Sequence, residues 1–221
     1  MIGVRSLTKT YSIDGQVLKA VDNVSFAVSR GEMVSIIGHS GSGKTTLLSL
    51  IGGLTKPDSG QVMIDGVNLW SMNDDRLSEF RNRKMNFIYQ FSSLIPTLTT
   101  IENVLLPTAF GNYSGDIEGY ARELIRTVGL EAKTNSYPSH LSGGQQRRVA
   151  IARAFINSPE IILADEPTGD LDEETEEEVI ELFRRMNEEK GITFIIVTHN
   201  REIAGQVKKQ FKMTSGVLSE I

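Results

Sequence analysis

Residues 38 to 45, "GHSGSGKT", form a run with almost no side-chain bulk that ends in an ammonium and a hydroxyl. Gly38, Gly41 and Gly43 let the backbone turn tightly, so that N–H groups can converge on a phosphate at the positive end of a following helix. Lys44 brings a charge for the outer phosphates, and Thr45 brings the hydroxyl that such loops place on Mg²⁺. His39 contributes mainly backbone, while Ser40, Ser42 and Thr46 complete the cradle. The flanks suit this chemistry, since "VSII" reads as a buried strand and the leucine-rich run after Lys44 reads as a helix.

Phosphoryl transfer from such a loop also needs an acidic element, and "IILADEP" at 161 to 167 supplies one. Its apolar residues make a buried strand that delivers Asp165 and Glu166 at the tip. One carboxylate can serve a metal shell while its neighbour polarises an attacking water. A second small-residue turn, "LSGGQ" at 141 to 145, runs into another helix. There Ser142, Gly143 and Gly144 expose donors that would suit a second phosphate, or Ser142 simply caps the helix. The acidic run "EETEEE" at 173 to 178 reads as the solvated first turns of a helix, favoured by the helix dipole. Arg147 and Arg148 require no nucleic acid.

The elements needed to hold these residues are legible in the pattern. Alternation at Val24, Phe26 and Val28, followed by the turn "SRG", predicts strand, turn, strand from Val17 to Met33. "QVMIDGVNLW" predicts a hairpin around Asp65-Gly66, "DDRLSEFRNRK" a charged helix, and "MNFIY" a strand. Between Gln90 and Pro159 strand signals vanish, and Thr99 with Glu102 predicts a capping box. Tyr120, Leu124 and Val128 define one face of a helix stopped by Gly129. After the strand at 161, a helix buries Val179, Leu182, Phe183 and Met186, "TFIIVTH" is a strand and "FKMTSGVLSE" a hairpin. Strands alternating with helices predict an α/β fold with a mostly parallel sheet and ligands at the carboxyl ends of its strands.

Bulk properties narrow the function classes. The chain has 221 residues and a net charge of -5, which gives no general reason to expect nucleic acid. With no cysteine, disulfides, thiolate metal sites and a thiol nucleophile are excluded. No stretch approaches the roughly 18 consecutive apolar residues of a membrane span. The expected location is therefore the cytoplasm, with any link to a membrane made through another protein.

Taken together, "GHSGSGKT", "LSGGQ", "ILADEP", "GDLD" and "VTH" occur in the order and approximate spacing of the ATP-binding cassette ATPases, which the chain resembles over essentially its whole length. The resemblance implies a phosphate-loop ATPase core with an N-terminal antiparallel β subdomain, about 1–90 and 158–221, and an inserted helical subdomain, about 91–157. It implies ATP and Mg²⁺ as ligands. Tyr11 matches the aromatic that stacks on adenine. Residues 38 to 46 match the phosphate cradle. Thr45, Gln90 and Asp165 match the Mg²⁺ shell. Gln90 matches the residue that also senses the γ-phosphate, Glu166 the catalytic base and His199 the switch histidine. Two cassettes pair head to tail in this family, so Ser142, Gly143, Gly144 and Gln145 of one copy would clamp the nucleotide held by the other, with the turn Gly169 to Asp172 along the seam.

"FSSLIPTLTTIENVLLP" with "ADEPTGDLD" resembles the branch containing lipoprotein-release, macrolide-export and antimicrobial-peptide-resistance ATPases. Membership implies a separate integral membrane permease driven by ATP, exporting or extracting lipoprotein, lipid, peptide or drug. "GHSG" is also similar to the cell-division cassettes, which leaves open a regulator of cell-wall hydrolysis that moves no substrate. A soluble DNA-maintenance cassette is the third alternative, but neither heptads nor cysteines support it.

Overall fold

The computed structural model describes residues 2–221 except 14, 112, 114 and 170, and the backbone but not the side chain of Ile13. Two long strands, β1 (Ile2–Ile13) and β2 (Gln16–Val28), pair antiparallel and lead into β3 (Met33–Ile37). Helix α1 (Lys44–Ile51) follows, then a hairpin of β4 (Ser59–Ile64) and β5 (Val67–Asn68). Its turn places Asp65 at φ 48° and Gly66 at φ 82°, the positive-φ pair that an Asp-Gly turn allows. Helix α2 (Asp74–Lys84) is capped by the Asn73 side chain and runs directly into β6 (Met85–Ile88).

From β6 to the next strand the regular elements are helical among the described residues, as the pattern predicts. Helix α3 (Thr100–Leu105) starts with the Thr99/Glu102 capping box. Helix α4 (Ile117–Thr127) buries Ala121, Leu124 and Ile125; Val128 caps it and Gly129 turns away at φ 69°. Helix α5 (Gly143–Phe155) begins at a second capping box, Ser142 with Gln145. Then come β7 (Ile161–Asp165), α6 (Glu173–Lys190), β8 (Thr193–Thr198) and α7 (Arg201–Gly205), and last the hairpin of β9 (Lys209–Thr214) and β10 (Val217–Glu220).

The strands form two sheets. One is antiparallel, in the order β2-β1-β4-β5, and the other runs β10-β9-β3-β8-β7-β6, parallel except for the terminal hairpin. Strand β1, at the heart of the first sheet, lies outside the alternation that the sequence displays from Val17 onward. The central strands are buried on both faces, so their apolar runs serve two cores with period 2. Ile162, Ala164, Phe194 and Ile196 face a cluster shared with α3 to α6. Ile161, Leu163, Ile195 and Val197 face a cluster shared with α1 and the antiparallel sheet.

Three rings fix the helices over the first cluster. Phe183 of α6 stacks on Phe194 of β8 at 5.2 Å between centroids, and Phe155 of α5 lies 6.4 Å from both. Removing any one ring to Ala would cost about 3–5 kcal/mol. Helix α5 is thereby locked to the strand pair that ends at Asp165 and Thr198. No helix among the described residues is long and apolar enough to cross a membrane.

Helix α1 ends at Gly52, a position where nothing larger fits. A Cβ there would lie 1.9 Å from Cζ of Phe87 and 2.8 Å from Cδ1 of Leu163. Gly52→Ala should therefore lower the unfolding free energy by about 1–3 kcal/mol in urea titrations, as overpacking does. Adding Phe87→Leu should recover part of that loss; two strictly additive losses would show that the clash is not with the ring.

Candidate functional site

Strand β3 ends at Ile37, and the chain then folds back on itself before entering α1. Backbone contact dictates the glycines here. A Cβ on Gly38 would lie 2.4 Å from the Met213 carbonyl, and one on Gly43, at φ 106°, would lie 2.0 Å from the Ala20 carbonyl. The loop is thus pressed between β2 and the β9–β10 hairpin, and the Gly216 N–H donates to the Ser42 carbonyl at 3.0 Å. Inside the loop the Ser42 hydroxyl is buried and has no hydrogen-bond partner among the described residues. That orphan hydroxyl suits a ligand oxygen.

The Lys44 side chain curls back into its own loop. Its Nζ donates to the Gly38 carbonyl at 2.7 Å and the His39 carbonyl at 3.2 Å. Next to it the Thr45 hydroxyl faces the Asp165 carboxyl, and burial, opposed by that hydroxyl, pushes the Asp165 pKa upward. The nearby Glu166 charge acts in the same direction, the Lys44 charge against it. Burial of such an acid is tolerable beside an ammonium and a hydroxyl; a divalent cation would relieve it further. The set of Thr45 hydroxyl and Asp165 carboxyl is hard oxygen chemistry, which fits Mg²⁺.

Glu166 sits just past the tip of β7 with φ 46°, a left-handed backbone that a non-glycine residue rarely adopts. Its N–H donates to the Val197 carbonyl at 2.9 Å, and its own carbonyl accepts from Gly169 at 3.1 Å. The turn aims the carboxylate at β8, where Oε2 accepts from the Thr198 hydroxyl at 3.0 Å. The same oxygen lies 3.0 Å from Nδ1 of His199 and 3.3 Å from its backbone nitrogen. The His199 side chain is otherwise open to solvent, at 72% exposure.

These groups line one cleft of about 660 Å³. Tyr11, residues 39 to 46, Gln90, Asp165, Glu166 and His199 all face it, and Leu18 and Ala20 complete the wall beside Tyr11. Tyr11 projects from β1 opposite Leu18, and the Lys9 ammonium lies 5.6 Å from its ring centroid. Asp58 holds that stretch of β1, accepting from the Thr10 N–H and hydroxyl and from Lys9; these bonds lower its pKa to about 2. Leu18 and Ala20 are the wall residues that motif reasoning misses.

Ser142, Gly143, Gly144 and Gln145 do not line this cleft. Ser142 caps α5: its Oγ accepts from the Gln145 N–H at 3.3 Å, and its N–H donates to Gln145 Oε1 at 3.0 Å. Ser142 and Gly143 are exposed. Capping and phosphate binding are compatible, because a hydroxyl that accepts one bond still has its own O–H to donate. Of the turn expected along a dimer seam, Asp170 lies outside the described residues.

A family model described as "ABC transporter" matches residues 21–169. The chain is 40% identical over 219 residues, 99% of this chain and 96% of the relative, to the "Lipoprotein-releasing system ATP-binding protein LolD" of Idiomarina loihiensis. Among solved structures, the dimeric post-hydrolysis state of the ATP-binding cassette MJ0796 bound to ADP and Pi superposes with a TM-score of 0.94 at 42% identity, covering 100% of this chain and 98% of that one. Another similar fold is cbiO1 of Clostridium perfringens, part of the transporter complex cbiONQ, with a TM-score of 0.86 at 27% identity over 99% of this chain and 86% of that one. The cleft with its phosphate loop and acidic strand tip, the cassette fold and these relatives agree: this chain belongs to the ABC transporter family, as one of its ATP-binding, ATP-hydrolysing cassettes.

Proposed function

We propose that this chain is the ATPase subunit of a transporter whose separate integral membrane permease exports or extracts lipoprotein, lipid, peptide or drug. The cassette would sit on the cytoplasmic face of the inner or plasma membrane, held there by the permease. The observation that carries this reading is the 40% identity to a lipoprotein-releasing ATP-binding protein along nearly the whole of both chains.

In the reaction, the adenine stacks on Tyr11 and the phosphates enter the loop formed by Gly38 to Thr46. The Lys44 ammonium exchanges the Gly38 and His39 carbonyls for phosphate oxygens, and the Ser42 hydroxyl gains the partner it lacks. Mg²⁺ would be held by Thr45, Gln90 and Asp165, and when bound it neutralises charge on the transferring phosphoryl group. Glu166 takes the proton of the attacking water as the bond to the γ-phosphorus forms and the bond to the bridging oxygen breaks, giving ADP and inorganic phosphate. His199, 3.0 Å from that carboxylate, holds it in place and faces the γ-phosphate. Ser142, Gly143, Gly144 and Gln145 reach the phosphates from a second copy of the chain, an arrangement supported by their absence from the lining of their own chain's cleft. Closure of the pair around ATP, and reopening after hydrolysis, is the motion passed to the permease.

Lys44→Ala should weaken ATP binding by about 2 kcal/mol or more, roughly thirtyfold in affinity, measured with a fluorescent ATP analogue; unchanged binding would remove the loop from the reading. Glu166→Gln should lower turnover by roughly 10²-fold or more while ATP drives the chain into a dimer on light scattering. A monomer at saturating ATP would count against the shared site. Ser142→Arg should bind the analogue as the wild type does, yet fail to dimerise. Tagged Glu166→Gln chain purified from detergent-solubilised cells with ATP should bring with it a polytopic membrane protein with a large extracytoplasmic region. Recovery of soluble proteins or DNA alone would overturn the membrane coupling.

A further inference from the structure

The segment that follows β6 has no regular structure of its own, yet it carries Gln90 into the cleft. Two arginines of α5 hold it. Arg153 donates to the Ser92 carbonyl at 2.8 Å and the Ser93 carbonyl at 2.9 Å. Arg147 donates through Nη1 to the Tyr89 carbonyl and through Nη2 to the Gln90 carbonyl, and Nη2 also reaches the Gly169 carbonyl at 3.4 Å. Arg147 is only 5% exposed, so these contacts are made out of water, where each is worth more and a loose end costs more.

The geometry is specific. Gly169 closes the turn that starts at Glu166, whose carbonyl accepts from the Gly169 N–H at 3.1 Å. One guanidinium therefore touches both segments that bring carboxamide and carboxylate to the γ-phosphate side. It also belongs to the first turns of α5, whose N-terminus is the Ser142 to Gly144 surface. A planar fork with donors pointing in fixed directions can span carbonyls on separate segments; a lysine ammonium, a single point of charge, reaches one group well.

We propose that Arg147 is a positioning residue for ATP hydrolysis, its guanidinium joining the Gln90 segment and the Glu166 turn to the start of α5 so that the three shift as one body. This rests on the roles given above to Gln90, Glu166 and Ser142. When nucleotide displaces Gln90, the Tyr89 and Gln90 carbonyls pull on Arg147 and so on the surface that meets the second copy. Arg147 touches no substrate; it keeps the base and the sensing carboxamide in register with the clamp.

The test compares Arg147→Gln and Arg147→Lys with wild type in the purified full chain. The expected result is a fall in kcat of about tenfold for Gln, with a KM for ATP within about twofold, and only partial recovery with Lys. Hydrogen–deuterium exchange should rise in residues 89–93 and 167–169 and stay at wild-type levels through β7, β8 and the body of α6. A kcat within twofold of wild type in both variants would overturn the proposal. So would exchange that rises throughout α5 and the sheet, since that marks a support of the fold alone. Glu166→Gln, measured alongside, separates the two failures: if it keeps wild-type turnover, the assignment of the site is wrong, whereas a dead Glu166→Gln beside fully active Arg147 variants refutes the role of Arg147 only.

Discussion

Keeping a lysine more than nine-tenths buried is costly unless polar groups replace the water of its ammonium, and here the Gly38 and His39 carbonyls do so for Lys44. Carbonyls six and five residues upstream can reach the side chain only if the loop doubles back over the start of its own helix. That path brings the backbone against the Met213 and Ala20 carbonyls, where Gly38 and Gly43 leave no room for a Cβ. The antiparallel sheet, the terminal hairpin and the central parallel strands are all needed to hold the loop in this state. Each contributes a wall that the others lack.

The second carboxylate-bearing tip depends on the same sheet. Strands β7 and β8 lie side by side in register, so Asp165 pairs with Val197 and the next residues, Glu166 and the Thr198–His199 pair, meet beyond the sheet edge. The positive φ of Glu166 turns its carboxylate toward β8 and away from the line of the strand. A strained backbone of this kind persists only where its surroundings fix it, and here the Val197 and Gly169 hydrogen bonds do so. Phe155, Phe183 and Phe194 then anchor α5 and α6 to this strand pair, which sets where the Ser142 surface stands relative to the cleft.

Much of this was readable before any coordinates, because the controlling signals are local. The Asp65-Gly66 turn, the Thr99/Glu102 capping box, α2 from Asp74 to Lys84 and the buried face of α6 each follow from residue types within a few positions. Strand β1 escaped that reading: its partners lie both after and far beyond it, at β2 and β4, and its bulges break the alternation between Val4 and Thr10. Within the site, the loop and strand-tip residues announce themselves by composition. Leu18 does not, since its part in the cleft is set by its pairing with Tyr11 across the sheet. Arg147 looks in the sequence like half of a solvated basic pair. Its burial follows only from α5 lying against the segment after β6, a contact that no spacing encodes.

The hairpin of β9 and β10 has a further meaning for how the chain matures. Its Met213 carbonyl and Gly216 amide form the rear wall of the loop at 38 to 45, so an early part of the site is completed by residues that lie far along the chain. Contacts this distant in sequence close slowly, and during synthesis the amino-terminal portion must wait for them. A nascent chain that has not yet folded this hairpin onto β3 therefore lacks a finished phosphate cradle.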